Sequence, residues 1–399
     1  MPNVVAVANI EEIKSRVAEL LPPVDPDTPA SILGAGNDDI EDGRAWLKGA
    51  AAHGLAVPRW PVEFGGRDAD DAEAELIAGV LERYAVPDMY PFAVGLSLVA
   101  PILLGSGTEE QRRRWLRPIA DGSEIWCQMF SEPDAGSDLA NIASRAEPDG
   151  DEWIISGQKV WTSRGPYSKW GMCLARTDPD QVKHRGLTMF ALDMESPGVE
   201  VRPLHQMNGD THFSEVFIDE ARVGGSDILG ELGKGWGVAM AVLTSERASL
   251  GGSGGGLDPS GGYAWIDKLR TTGRLDDPVW RDRAVHIYIS QKVAAFTAWR
   301  QSADIQAGRD GGSGGSGGKL RLVDVYKRRA ELMRDVLGPA GTLIDEQTVE
   351  FLTGPSMSIR GGTDEIQRNI IGERILGLPP EPRVDKGVTY AELRQQGMV

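Results

Sequence analysis

WCQMFSEPDAGSDLA, residues 126–140, is where the texture of this 399-residue sequence changes. It opens as an apolar, aromatic run. It then passes into Ser131-Glu132-Pro133-Asp134-Ala135-Gly136-Ser137-Asp138, a cluster of turn formers and hydroxyls. A tight Pro/Gly turn of this kind can aim backbone N–H groups and hydroxyls at an anionic or carbonyl-rich ligand. The same residues also suit an ordinary β-turn, so the neighbouring stretches have to decide.

Upstream, residues 1–125 are helical in pattern. DAEAELIAGVLERYAV sets Leu76, Ile77, Val80, Leu81 and Tyr84 at helical spacing. TEEQRRRWLRPIADG (108–122) begins with Thr108 as a cap and acids in its first turn. Downstream, over residues 126–232, EWIISGQKVWTS reads as two apolar runs with a Ser156-Gly157 turn between them. LTMFALDM, VEVRPL and HFSEVFID follow, rich in β-branched and aromatic residues, and predict a compact antiparallel β domain. Helices return over residues 233–399. GWGVAMAVLTSERASL is amphipathic, and two longer segments read as bundle helices. Helices, then strands, then helices make an α+β chain in three domains: 1–125, 126–232 and 233–399.

Two Gly-rich stretches, 251–256 and 311–318, interrupt the last region. The second contains a formal G-x-G-x-x-G from Gly312 to Gly317. A dinucleotide loop needs a strand before it, and a helical pattern stands there. The stretch reads instead as a flexible helix–helix connection.

The net charge of −17 argues against nucleic acid or an anionic membrane as a partner, while leaving room for a local basic pocket. Cys127 and Cys173 suggest no disulfide framework and fit a reducing cytoplasm. No apolar run approaches the ~20 residues that span a bilayer. The start, MPNVVAVANIEEIKSRVAEL, lacks the pattern of a signal peptide. No metal site is assigned.

Three further stretches accompany the opening one: KVWTSRG (159–165), HFSEVFIDEARV (212–223) and GGTDEIQRNIIGERILGLP (361–379). Taken alone, Trp161 suits the core of a sheet. Together and in this order, the four stretches resemble the signatures of acyl-CoA dehydrogenases, over most of the chain. The resemblance implies that family's fold, with FAD held where the domains meet. It implies that Gln128, Met129, Ser131, Ser137, Trp161, Ser163, Thr363 and Glu365 line the flavin: Ser131 at the pyrimidine edge, Ser137 on the phosphate side, Trp161 stacked on the ring and Ser163 donating to N5. It implies α,β-dehydrogenation of an acyl-CoA thioester to a trans-2-enoyl-CoA. The α-proton goes to a carboxylate and the β-hydrogen leaves as a hydride to the flavin. Electrons then pass to an electron-transfer flavoprotein.

The usual base of the family is a glutamate just before the Gly-Thr pair, and here that position is Gly361. Some members instead carry the glutamate on a helix after the β domain, directly before an arginine. Glu246-Arg247 in LTSERASL matches that arrangement. On the helix, Trp236, Ala239, Met240, Leu243 and Leu250 form an apolar stripe, with Glu246 on its border and Arg247 near its centre. The pair also suits a structural ion-pair network. Asp364 and Glu365 read as first-turn acids of a helix capped by Thr363. Glu246 is thus the expected base, with Ser137, Arg247 and Gly361 on the substrate side. The bare Gly361 leaves room for a bulky or α-branched acyl group.

Two family features are missing. No Arg-x-x-Phe-Gly motif occurs around 251–273. In DVLGPAGTL, Asp335 stands where many members have Gln, and Gly338-Pro339-Ala340-Gly341 replaces the Gly-rich turn. Both features reach a neighbour's FAD in homotetramers. Their loss implies a second, unlike dehydrogenase subunit in an α2β2 assembly, as in actinobacterial enzymes acting on steroid side-chain CoA thioesters. Three alternatives stay open: a homotetramer binding FAD by other residues, a non-catalytic structural partner, and a same-fold flavin oxidase or monooxygenase.

Overall fold

A computed structural model describes residues 2–25, 40–251, 264–309, 314–383 and 385–397. The chain's contacts divide it into two compact units. One comprises Met1–Leu204, His212–Ala239 and Val388–Val399; the other comprises His205–Thr211 and Met240–Gly387.

The first unit begins with helices α1 (Pro2–Leu20), α2 (Ile40–Ala52), α3 (Asp71–Leu81), α4 (Ala100–Ser106) and α5 (Glu109–Ala120). The apolar faces of α1, α2 and α3 meet in a core that includes Ile13, Val17, Trp46, Leu47 and Ile77. Thr108 caps α5 as the sequence predicts, and α3 carries a cap that was not read from the sequence. Thr108 and Gln111 form a reciprocal capping box on α5, and Asp70 accepts from Glu73 N–H at the start of α3.

A seven-stranded sheet follows: β1 (Trp126–Met129), β2 (Arg145–Asp149), β3 (Glu152–Ser163), β4 (Trp170–Arg176), β5 (Leu187–Asp193), β6 (Val199–Leu204) and β7 (Phe213–Gly224). The strand order is β1-β4-β2-β3-β7-β6, with β5 paired to β4. The sheet is mixed rather than wholly antiparallel, because β1 and β2 both run parallel to β4. A second expectation also changes. Ser156-Gly157 is not a turn, since β3 runs unbroken through it with a bulge between Ile155 and Gly157. A Cβ at Gly157 would come within 2.2 Å of the Ser144 hydroxyl. The glycine therefore serves a close approach of two strands, not a reversal. Cys127 and Cys173 are buried and free, and burial pushes their thiols up to about 12 and about 11. They behave as small apolar side chains.

The second unit is helical. The boundary falls within α6 (Gly235–Gly251), after which come α7 (Ala264–Thr271), α8 (Pro278–Gln306), α9 (Gly314–Val336), α10 (Glu346–Met357) and α11 (Asp364–Ile370). Trp265, Leu269, Ile287, Leu332 and Met333 form its core. The second Gly-rich stretch is only partly a connection. From Gly314 it is the first turn of α9, where Ser316 and Lys319 are buried, so packing outweighs the poor helix propensity of glycine. Helix α8 precedes it, which removes the strand that a dinucleotide loop requires. Residues 252–263 and 310–313 lie outside the described residues, and with them most of the first Gly-rich stretch. The last helix, α12 (Tyr390–Gln395), belongs to the first unit, where Tyr390 lies under the Arg176 guanidinium. Among the described residues, no helix is long and apolar enough to cross a membrane.

Candidate functional site

Glu132 and Ala135 exchange two backbone hydrogen bonds of 3.1 Å, which close Pro133-Asp134 into a turn. Just before it, the Ser131 carbonyl accepts the Val160 N–H at 2.9 Å. That bond lays the Ser131 turn against the part of β3 that carries Trp161 and Ser163. The structure thus brings together three residues that lie in two separate motifs. Gln128 is half-buried and Met129 fully buried at the end of β1. Ser137 is exposed, next to Asp138, which pairs with Lys183 at 2.8 Å.

Trp161 is not a core residue. It is 59% exposed, and its ring stands edge-on to Phe213 at 5.9 Å. The β3–β7 ladder shifts register between Lys159 and Thr162, which leaves Trp161 unpaired in a bulge with φ +61°. A bulky residue in the left-handed region is strained, and such strain collects at functional sites. The bulge turns a broad apolar ring outward where regular pairing would have placed the next residue of the ladder.

Sequence reasoning overlooked Lys159. Its side chain is completely buried and pairs with Glu132 at 2.8 Å. Its ammonium also donates to the carbonyls of Phe130 (3.2 Å) and Leu174 (2.7 Å). Glu132 accepts in turn from the N–H groups of Ala143 (2.6 Å) and Ser144 (3.0 Å). Burial pushes the Glu132 carboxyl up, but the Lys159 charge and these hydrogen bonds outweigh it and hold the group below its usual range. No local signal sets the pair apart, since Asp134, Asp138 and Arg164 are charged residues of the same two motifs.

In the second unit, Gly361 and Gly362 have φ of +67° and +83°. The buried Gln367 donates to the Gly361 carbonyl at 2.9 Å. A Cβ on Gly362 would meet that amide at 2.6 Å. Thr363 caps α11, its hydroxyl accepting from Ile366 N–H at 3.2 Å. Asp364 pairs with the buried Lys319 at 2.9 Å, while Glu365 is exposed beside Arg368. Both acids occupy the first turn of α11, as the helix dipole favours.

Glu246 and Arg247 lie in α6, and their side chains lie outside the described residues. The helix's buried line runs through Gly235, Ala239 and Val242, while Trp236, Met240 and Leu243 are only half-buried. The apolar stripe read from the sequence is therefore rotated. Small residues take its centre, because they allow the closest approach. Asp335 is held by Arg283 at 2.8 Å and by Arg334.

Comparison with known proteins gives a consistent result. Three family models match: the N-terminal domain of acyl-CoA dehydrogenase over residues 35–123, the middle domain over 127–221 and the C-terminal domain over 233–376. The acyl-CoA dehydrogenase IpdE1 of Mycobacterium tuberculosis is 38% identical over 88% of this chain and 91% of its own length. The acyl-CoA dehydrogenase FadE34 of the same organism is 36% identical over 82% of this chain and 45% of its own. Among solved structures, the Tcur3481-Tcur3483 steroid ACAD superposes with a TM-score of 0.77 at 25% identity, covering 96% of this chain and 99% of that one. The ChsE4-ChsE5 complex from Mycobacterium tuberculosis gives 0.73 at 27% identity, covering 94% and 97%.

Proposed function

The chain belongs to the acyl-CoA dehydrogenase family, and on that footing we propose that it dehydrogenates an acyl-CoA thioester between Cα and Cβ, with FAD as cofactor and Glu246 as the base. FAD, when bound, supplies the acceptor for the departing hydride. The residues present fit it. The Ser131 turn is hydrogen-bonded to the strand of Trp161, and the strained bulge offers an exposed aromatic face suited to an isoalloxazine ring. Ser131 and Ser163 would hold its polar edge, with Gln128 and Met129 behind. Ser137 would hold its phosphate side.

The base assignment rests on one observation. The usual position, 361, is occupied by a glycine in a left-handed turn, while Glu246 stands on α6 directly before Arg247. A carboxylate that is shielded from water becomes a stronger base, because desolvation disfavours its charge. Arg247, the next residue in the chain, would meet the substrate. The bare Gly361 favours a bulky or α-branched acyl group. The steroid named for one structural neighbour supports that class of substrate.

A second dehydrogenase-like chain completes the reading. Helix α8 buries Ala284, Ile287 and Ala295 on one face. It leaves Val285, Ile289, Val293, Phe296 and Trp299 exposed on another, at helical spacing. Contiguous apolar surface of this kind marks an interface, and a structural neighbour is itself a complex of two chains. An electron-transfer flavoprotein would take the electrons.

The test is Glu246→Gln. Dye reduction by acyl-CoA should fall by about a thousandfold or more, with flavin absorbance retained. Near-normal turnover would overturn the assignment.

A further inference from the structure

We propose that Lys159 is the positioning residue of the cofactor cradle, fixing the distance between the Ser131 turn and the Trp161 bulge. The proposal rests on reading residues 128–163 as the flavin surface, and it assigns a role to a residue outside that surface.

The ammonium has three N–H groups, and each goes to a different piece of the chain: the Phe130 carbonyl after β1, the Leu174 carbonyl in β4 and the Glu132 carboxylate in the turn. Glu132 spans the segment that carries the ligand contacts. From its start, the carboxylate reaches the N–H groups of Ala143 and Ser144 at its end. Residues 131–142 are thereby closed into a loop whose neck is one carboxylate, and Lys159 ties that neck to β3. The next residue, Val160, makes the backbone bond to Ser131, and the one after it is Trp161.

Arg176, 4% exposed, braces the far end by donating to the carbonyls of Ala140 and Ile142. Two buried cations, one on β3 and one on β4, therefore bracket the loop. Its middle, Pro133, Asp134 and Gly136 to Asp138, stays exposed. A buried ion pair contributes little net stability compared with apolar residues of the same volume. Its presence next to this loop points to geometry.

The experiment compares wild type, Lys159→Met and the double variant Glu132→Gln/Lys159→Met, each as the full chain. The double variant leaves no uncompensated charge. Two quantities are read: FAD affinity, by titration of flavin fluorescence, and amide hydrogen exchange resolved to residues 129–144 and 156–164. In the double variant, Val160, Ala143 and Ser144 should lose protection, while the β3–β7 ladder keeps its own. FAD affinity should fall roughly tenfold or more, with a melting temperature near wild type. Lys159→Met should show the same pattern with added destabilisation.

A folded double variant with unchanged local protection overturns the proposal. So does one whose protection falls evenly across the sheet, or one that fails to fold, since the pair would then be a stability element. The exchange measurement decides this without flavin. A wild type with no affinity for FAD, either alone or with the second chain that completes the site, would instead remove the reading of this surface as a flavin cradle.

Discussion

The two compact units depart from the usual inside-outside partition in opposite directions. The β-rich unit places charge inside, with Lys159 completely buried, Arg176 at 4% and Glu132 at 7% exposure. The helical unit places apolar surface outside, with Trp299 at 68% and Phe296 at 57%. Both departures are informative, because buried polar groups and exposed apolar patches are what a self-sufficient monomer avoids. In the β-rich unit, buried charge ties the Ser131–Asp138 turn to β3. Lys319 in the helical unit follows the same pattern, pairing with Asp364 directly after the Gly361–Thr363 turn. Exposed apolar surface sits where another chain is expected. One unit thus looks complete for its part of the work, and the other looks like half of an interface.

The strongest way to break this contrast is to put charge on the α8 stripe. Phe296→Glu with Trp299→Glu should dissociate the assembly. Central aromatic anchors contribute about 2 kcal/mol or more each, so the pair should weaken association by about a thousandfold. Light scattering should show the mass falling to that of one chain, with helical circular dichroism unchanged. An assembly that survives both charges would make the exposed stripe an ordinary surface.

The buried pair in the other unit can be tested with acid. The Glu132 carboxyl lies below its ordinary value of 4.5 in the folded chain. The sign follows from linkage. The contribution is present in full above the unfolded value, and it is lost as pH falls through the lower, folded one. Glu132→Gln should therefore cost about 3 kcal/mol at neutral pH. The difference between wild type and variant should shrink as the pH drops below the ordinary carboxylate range. Urea melts across that range would show it, and a difference that does not depend on pH would mean the charge contributes nothing.

Much of this arrangement was legible in the sequence, for identifiable reasons. Thr108 and Thr363 announced their helices because capping is a local hydrogen bond between near neighbours. The motifs at 131–138 and 159–165 stood out as turn residues and hydroxyls, and the structure joins them through the Ser131–Val160 backbone bond. Lys159 escaped because a lysine in a strand reads as an edge or surface residue until its partner, 27 positions away, is known. Ser156-Gly157 misled because glycine serves both reversals and close approaches, and only the neighbouring Ser144 separates the two. Trp161 was open to both readings for a related reason. Its exposure depends on a bulge, and a bulge is a property of the ladder rather than of the residue. The stripe on α6 came out rotated because periodicity weighs large apolar residues, while the observed line of burial runs through Gly235 and Ala239.

The smallest expected effect sharpens the contrast at the turn that lacks a base. Gly361 sits at φ +67°, where a side chain is disfavoured by about 1 kcal/mol. Gly361→Ala should lower stability by about that amount, through the backbone alone, and thermal melts should resolve it as a shift of a few degrees or less. Adding a carboxylate there, Gly361→Glu in a Glu246→Gln background, meets the same backbone cost. It also places the new group on a turn pinned by Gln367. Turnover should stay at the level of Glu246→Gln alone. Recovery would show that the turn still accepts the base it has lost, and that the two positions are interchangeable ends of one design rather than alternatives fixed by their backbones.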